Sequence, residues 1–258
     1  MMPARFGDLA GGALVTGGTG GIGRAIVEQL VGEGAAVTFT FRSNAAAAVA
    51  LVAGLQAEGH RIAAIELDLA DSDHCTRVVE VAANNFGGLH TLIHAAGPHV
   101  PQVHLSKVTP AAFAHQVERE IADTFNVIHP ALPHLRAAQG SIVAVTTAAT
   151  ARYPVRDGLS AAPKAAIEQL VLALAVEEGR FGVRANCVGP GMLTDGMAER
   201  LMASGDLDEA ALAVTKANIP LRRFGRATDI AEAACFLASP GANFITGQLL
   251  RVDGGYSV

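Results

Sequence analysis

Short apolar runs that alternate with longer helix-like stretches constrain this chain more than any other feature. The runs are Ala13–Val15, Ala36–Phe41, Arg61–Leu67, Leu89–Ala95, Ser141–Thr147, Val183–Val188 and Leu249–Val252. Near-continuous apolar runs of this length suit parallel strands covered on both faces. Between them the spacing predicts helices over Ile22–Glu33, Asn44–Glu58, Ser72–Phe86, Pro110–Arg136, Ser160–Arg180 and Thr228–Leu237. Strict βαβα order implies an α/β chain with one doubly wound, mostly parallel, seven-stranded sheet, right-handed crossovers and helices on both faces. No internal repeat or Pro/Ser-rich linker divides the chain, so residues 1–258 read as a single domain. In Ala165–Val176 nearly every position is apolar. That helix is expected to be buried against the sheet and against a second subunit.

Composition narrows the classes. Half of the residues are hydrophobic and 17% are charged, which is incompatible with disorder. A net charge of −5, a pI near 6.0 and the lack of any Lys/Arg block argue against a nucleic-acid partner. Ser43 to Ala57, a 15-residue uncharged stretch rich in Ala, is too short to span a bilayer. The first residues, Met1-Met2-Pro3-Ala4-Arg5, carry no apolar signal-peptide run. Three cysteines, Cys75, Cys187 and Cys235, show no metal-ligand spacing and read as buried thiols of a reducing compartment. A soluble, cytoplasmic protein without a membrane partner is the expectation.

The first strand runs into Thr16-Gly17-Gly18-Thr19-Gly20-Gly21-Ile22-Gly23, and a helix follows at once. Such a turn lets backbone approach a pyrophosphate and aims helix N–H groups at its charge. In a βαβ context it reads as a dinucleotide site in the first half of the chain, about residues 1–140. The second strand decides which dinucleotide. An NAD site usually carries an acid ~20 residues past the glycines to hold the ribose 2′-OH. Here no acid occurs from Gly34 to Ala57, and the strand ends Phe41-Arg42-Ser43-Asn44. A guanidinium with two small polar neighbours suits a 2′-phosphate, so NADP(H) is the expected cofactor.

These residues resemble the short-chain dehydrogenase/reductase family over nearly the whole chain. Thr16–Gly23 fits the family's TGxxxGIG turn, and Asp68-Leu69 fits its adenine-contacting acid. Gly182–Gly191 matches its strand and Pro-Gly turn (here Pro190-Gly191) beside the nicotinamide. Ile219–Gly225, Phe236–Ser239, Ile245–Gln248 and Val252–Gly255 follow its C-terminal pattern. The resemblance is strongest to the 3-oxoacyl carrier-protein reductases. It implies a Rossmann-type fold, a small or carrier-bound substrate, catalytic residues in the half from about 141 to 258, and a homotetramer.

The chemistry of that family lies in an Asn–Ser–Tyr–Lys constellation, and this sequence departs from it. Lys164 is retained, which by resemblance holds the nicotinamide ribose, while Ser160 stands in the tyrosine's place. Thr147, thirteen residues upstream, replaces the serine, and Glu120 replaces the helix asparagine. The family's Asn-Asn-Ala-Gly reads His94-Ala95-Ala96-Gly97, and His90 stands where an Asp is usual. A serine hydroxyl is a far weaker acid than a phenol and is shorter by a ring, so Ser160 is no simple substitute. Candidates for the missing proton donor are Tyr153 in the loop after Thr147, His99 just past Ala95-Ala96-Gly97, Glu120, and water. A Ser160–Lys164 nucleophile pair is a further arrangement, although no oxyanion hole is visible. Ser160 with Pro163 also reads as a helix start, with Ser as N-cap. The histidines His90, His94, His99 and His104 lack interleaved acids or cysteines, so no metal site is expected. The sequence thus points to an NADP(H)-dependent reductase of a carbonyl or an activated C=C or C=N bond, with an altered acid–base group. The competing reading keeps the pocket for non-redox chemistry or for ligand binding alone.

Overall fold

The structure, a computed structural model, describes residues 4–98, 100–195 and 209–258. Seven parallel strands form one sheet: β1 (Gly12–Thr16), β2 (Val37–Phe41), β3 (Ile62–Glu66), β4 (Leu89–His94), β5 (Ser141–Val145), β6 (Arg184–Pro190) and β7 (Leu249–Val252). Their order is β3-β2-β1-β4-β5-β6-β7, so the chain reverses its direction of travel between β1 and β4. Open α/β sheets place ligands at this switch point, outside the carboxyl ends of the strands. The register sets Val15 beside Ile93 and Thr16 beside His94, which brings the ends of β1 and β4 level there.

Alternation along the strands sorts the core onto two faces. Val15, Val37, Phe39, Ile93, Val143 and Val188 meet α1 (Gly21–Gly32), α2 (Ala45–Ala57) and a late helix, Ala227–Ala238. Leu14, Leu92, Ile142 and Ala144 meet α3 (Ser72–Phe86), α5 (Asp123–Ala138) and α6 (Gly158–Glu178). The helix Glu209–Ala217 is α7, which makes Ala227–Ala238 α8. All three cysteines are free and buried, as their lack of pattern implied.

Two sequence expectations about helices are corrected. The stretch expected as one helix, Pro110–Arg136, is α4 (Pro110–Val117), a wider π turn at Glu118–Ala122, and then α5. Pro130 and Pro133 lie inside α5 without ending it. The helix expected to start at Ser160 starts at Gly158 with Asp157 at its N-cap, so Ser160 lies inside the first turn and caps nothing. With its closing turn, the stretch Gly158–Phe181 is long and apolar enough to cross a membrane by length and composition. Ile167, Val171 and Leu174 nevertheless lie in the core against the sheet, while Leu172 and Val176 are exposed on the opposite side.

Candidate active site and cofactor cleft

The glycine turn is held by backbone geometry. Gly17 has φ +72°, and a Cβ there would stand 2.8 Å from Cα of Ala96. Gly23 tolerates no side chain either, since its Cβ would lie 2.2 Å from the Gly17 carbonyl oxygen. The turn therefore packs against the end of β4 and feeds α1 without a side chain in the way. Gly20 is the N-cap of α1 and offers no side-chain cap, so the first-turn N–H groups stay available to an anion. Thr19, Gly20 and Gly21 form the accessible rim, and Ile22 anchors the helix start in the core.

The residues read as the adenosine end follow β2 and β3. Arg42 and Ser43 are exposed, and Arg42 makes no ion pair among the described residues. Asn44 also serves the fold, because its side-chain oxygen accepts from Ala47 N at 3.2 Å and caps α2. Asp68, its side chain 55% exposed, accepts from Ala70 N at 3.2 Å and lies 3.5 Å from Arg119. The Leu69 carbonyl is held by Asn126 Nδ2 at 2.9 Å. At the far end, Pro190 closes β6, and Gly191 N donates to the Val252 carbonyl at 3.0 Å. A bare glycine turn, an uncapped helix start and a free guanidinium at the tip of β2 fit a dinucleotide that carries an extra phosphate.

The reaction end is built on charge. Lys164 Nζ lies 3.0 Å from Glu120 Oε2, with side chains 12% and 2% exposed, and 3.4 Å from the Val145 carbonyl. Glu120 Oε2 has no hydrogen bond of good direction, so the pairing is chiefly one of charge. Its Oε1 takes Gln116 Nε2 at 3.4 Å. Gly97 covers the pair, since a Cβ on it would stand 3.5 Å from Nζ and 3.8 Å from Oε1. The π turn presents Glu120 to the lysine, and Thr124 Oγ1 donates to the Glu120 backbone carbonyl at 2.5 Å.

Behind the pair runs a buried polar chain. His94 Nε2 meets Thr124 Oγ1 at 3.1 Å, and its Nδ1 meets Thr16 Oγ1 at 3.0 Å. Thr16 Oγ1 also accepts from the N–H groups of Ala95 and Ala96 at 3.2 Å each. Burial, helped by the Lys164 charge, pushes the His94 imidazole down to about 3. His94 is therefore neutral, one ring nitrogen donating and the other accepting. It ties the ends of β1 and β4 to the π turn.

The other candidates divide. Thr147 follows β5 and turns its hydroxyl onto Ala149 N at 3.1 Å. Ser160 is partly buried, one helical turn before Lys164. Tyr153, on the loop before α6, is 60% exposed. His99 lies outside the described residues. Gln116, Thr124 and Asp157 were missed by sequence reasoning. Their signal was helical spacing, with Gln116 and Thr124 four residues either side of Glu120 and Asp157 three before Ser160.

Comparison with known proteins agrees with this fold. A family model described as enoyl-(acyl carrier protein) reductase matches residues 17–257. A 3-oxoacyl-(acyl-carrier-protein) reductase of Staphylococcus aureus is 33% identical over 244 residues, covering 94% of this chain and 96% of that protein. A short-chain dehydrogenase from Burkholderia cenocepacia, solved in complex with NADP, superposes with TM-score 0.87 at 31% identity, covering 97% of this chain and 99% of that one. A blue fluorescent protein from a metagenomic library, in complex with NADPH, gives the same TM-score and identity over 98% and 100%. The chain belongs to the short-chain dehydrogenase/reductase family of oxidoreductases.

Proposed function

We propose that this protein is an NADP(H)-dependent reductase of a carbonyl or an activated C=C or C=N bond, with a proton donor other than the family's tyrosine. The observation that carries it is the Lys164–Glu120 pair beneath Gly97, beside the β1 glycine turn. Gly17, Thr19, Gly20, Gly21, Ile22 and Gly23 would seat the pyrophosphate. Arg42 and Ser43 would take the 2′-phosphate, and Asp68 the adenine. Bound NADPH supplies a hydride. Lys164 would orient the nicotinamide ribose with Glu120 as its fixed counter-ion, and Thr147 would orient the substrate atom that gains charge. Two relatives solved with NADP or NADPH support the cofactor choice.

A small or carrier-bound substrate fits this reading. An open concavity of about 440 Å³ is lined in part by Lys216, Arg223 and Arg226 and by Asp229, which pairs with Arg223 at 3.2 Å; the positive excess of this lining supports an anionic handle on it. The deciding experiment follows NADPH absorbance against ketones, enones, imines and acyl thioesters. Oxidation with one class is expected. Should the true substrate turn over with NADPH left intact, non-redox chemistry takes the place of this reading. The exposed Leu172 and Val176 on α6 support a homo-oligomer, a tetramer by family likeness. Light scattering at micromolar concentration should find no monodisperse monomer.

A further inference from the structure

Asp157 plays no part in the function proposed so far, and its setting is unusual. An Asp at an N-cap ordinarily turns its carboxylate onto the first-turn N–H groups. Asp157 makes no such bond. Its Oδ1 accepts instead from Gln102 Nε2 at 2.8 Å. Gln102 belongs to the loop after β4, the same loop whose Gly97 covers the Lys164–Glu120 pair. The carboxyl thus lies between that loop and α6, half-buried, while the Asp157 carbonyl still starts the helix by accepting from Ser160 N and Ala161 N.

Its position on α6 gives this setting a meaning. Residues three and four apart share a helix face, so Asp157, Ser160 and Lys164 form one stripe. Helix side chains lean toward the N-terminus, so a long side chain at 160 would lay its far end over the turn that Asp157 heads. Ser160 is too short to do so. Asp157 lies one turn toward the N-terminus on that stripe, the direction in which that longer side chain would lean.

We infer that Asp157 is the proton-carrying residue of this cleft. The inference rests on the oxidoreductase function proposed for the site. With a carbonyl substrate, the carbon gains a C–H bond from the hydride of NADPH, which is oxidised to NADP⁺. The C=O π pair moves to oxygen, and that oxygen takes the proton of the Asp157 carboxylic acid. The carboxylate left behind is reprotonated from solvent. Burial raises the Asp157 carboxyl above the ordinary range, and the Gln102 amide opposes this by favouring the charged form. His104 and Lys107 on the loop, and Arg152, Tyr153 and Arg156 before the helix, are exposed, and Lys164 lies two turns down α6.

Two measurements test the assignment. In the cofactor-free protein, a carboxyl-carbon NMR titration should place Asp157 above the usual value of about 3.9. Gln102→Ala should raise it further. In the holoenzyme, with the substrate identified by NADPH oxidation, Asp157→Asn should lower kcat by roughly 10²- to 10⁴-fold with NADPH affinity unchanged. Ser160→Tyr in that background should recover part of the loss. An ordinary Asp157 titration, or an Asp157→Asn enzyme near wild-type kcat, overturns the inference. If NADPH is never oxidised, the oxidoreductase function fails separately. The proton-transfer step falls with it, whereas the titration still shows whether Asp157 is tuned to hold a proton.

Discussion

The cofactor edge and the reaction end of this cleft lie side by side on β1 and β4 but are specified in different ways. At the β1–α1 turn the specification is backbone: positive φ at Gly17, absent side chains and an uncapped helix start. At the reaction end it is side-chain charge and hydrogen bonding: Lys164 on Glu120, His94 between two threonines, Asp157 on Gln102. A backbone-defined site tolerates almost no change, because an added Cβ has nowhere to go. A side-chain-defined site can be rewritten one residue at a time on an unchanged scaffold, which is why fold alone does not fix chemistry. Relatives can therefore share the turn while differing in what they reduce.

The largest effect that would break this contrast is expected at Gly23. Gly23→Ala places a Cβ against the Gly17 carbonyl, and a turn that cannot close should lose dinucleotide binding outright, at about 1–3 kcal/mol of stability. Calorimetry with NADPH checks it, and retained micromolar binding would show that the turn yields.

Acid should sharpen the contrast from the other side. His90 is held down to about 4 by burial and His94 to about 3, both below the unfolded value of about 6.5. An imidazole kept neutral in the native state contributes its full stability above pH ~6.5. That stability is lost as pH falls toward the native values, by about 1.4 kcal/mol per pH unit for each histidine. Urea melts between pH 6 and 5 should show a slope near twice that figure, and His90→Phe should halve it. His90 stacks on Phe6, so the replacement keeps an aromatic partner.

A more selective effect is expected at Arg42, proposed above to take the 2′-phosphate together with Ser43. Arg42→Ala should weaken NADPH by about 1.5–3 kcal/mol, roughly ten- to a hundredfold, and leave NADH almost unchanged. Equal losses for both cofactors would mean that Arg42 acts on the turn rather than on a phosphate.

The same division explains what the sequence made legible. Apolar runs placed all seven strands within a few residues, because the central strands of a parallel sheet are buried on both faces and are mostly apolar. The glycine turn was equally plain, since few other structures need five glycines in eight residues at that place. The reaction end was legible only as a set of replaced positions. That Glu120 pairs with Lys164, 44 residues away, depends on how the π turn packs against α6, and no local period encodes such packing. Local pattern favours Ser160 as the N-cap, because serine is a good cap and Pro163 follows within a turn. Asp157 starts the helix instead, and its side chain is turned away from the helix by a glutamine 55 residues upstream.

The π turn at Glu118–Ala122 makes chain length itself a determinant of the site. A wider turn amounts to one extra residue threaded into an otherwise α-helical path, a phase shift in the helix rather than a change of composition. Removing Ala122 there would relax the segment to an ordinary helix while leaving its charge intact and its hydropathy nearly so. It would also rotate everything on one side by about 100° relative to the other. With α5 fixed by the core, Gln116 and Glu120 would turn together away from Lys164, and α4 would present different residues to the cleft. Two chains with identical residues at every aligned catalytic position could therefore differ in chemistry through a single gap in this stretch.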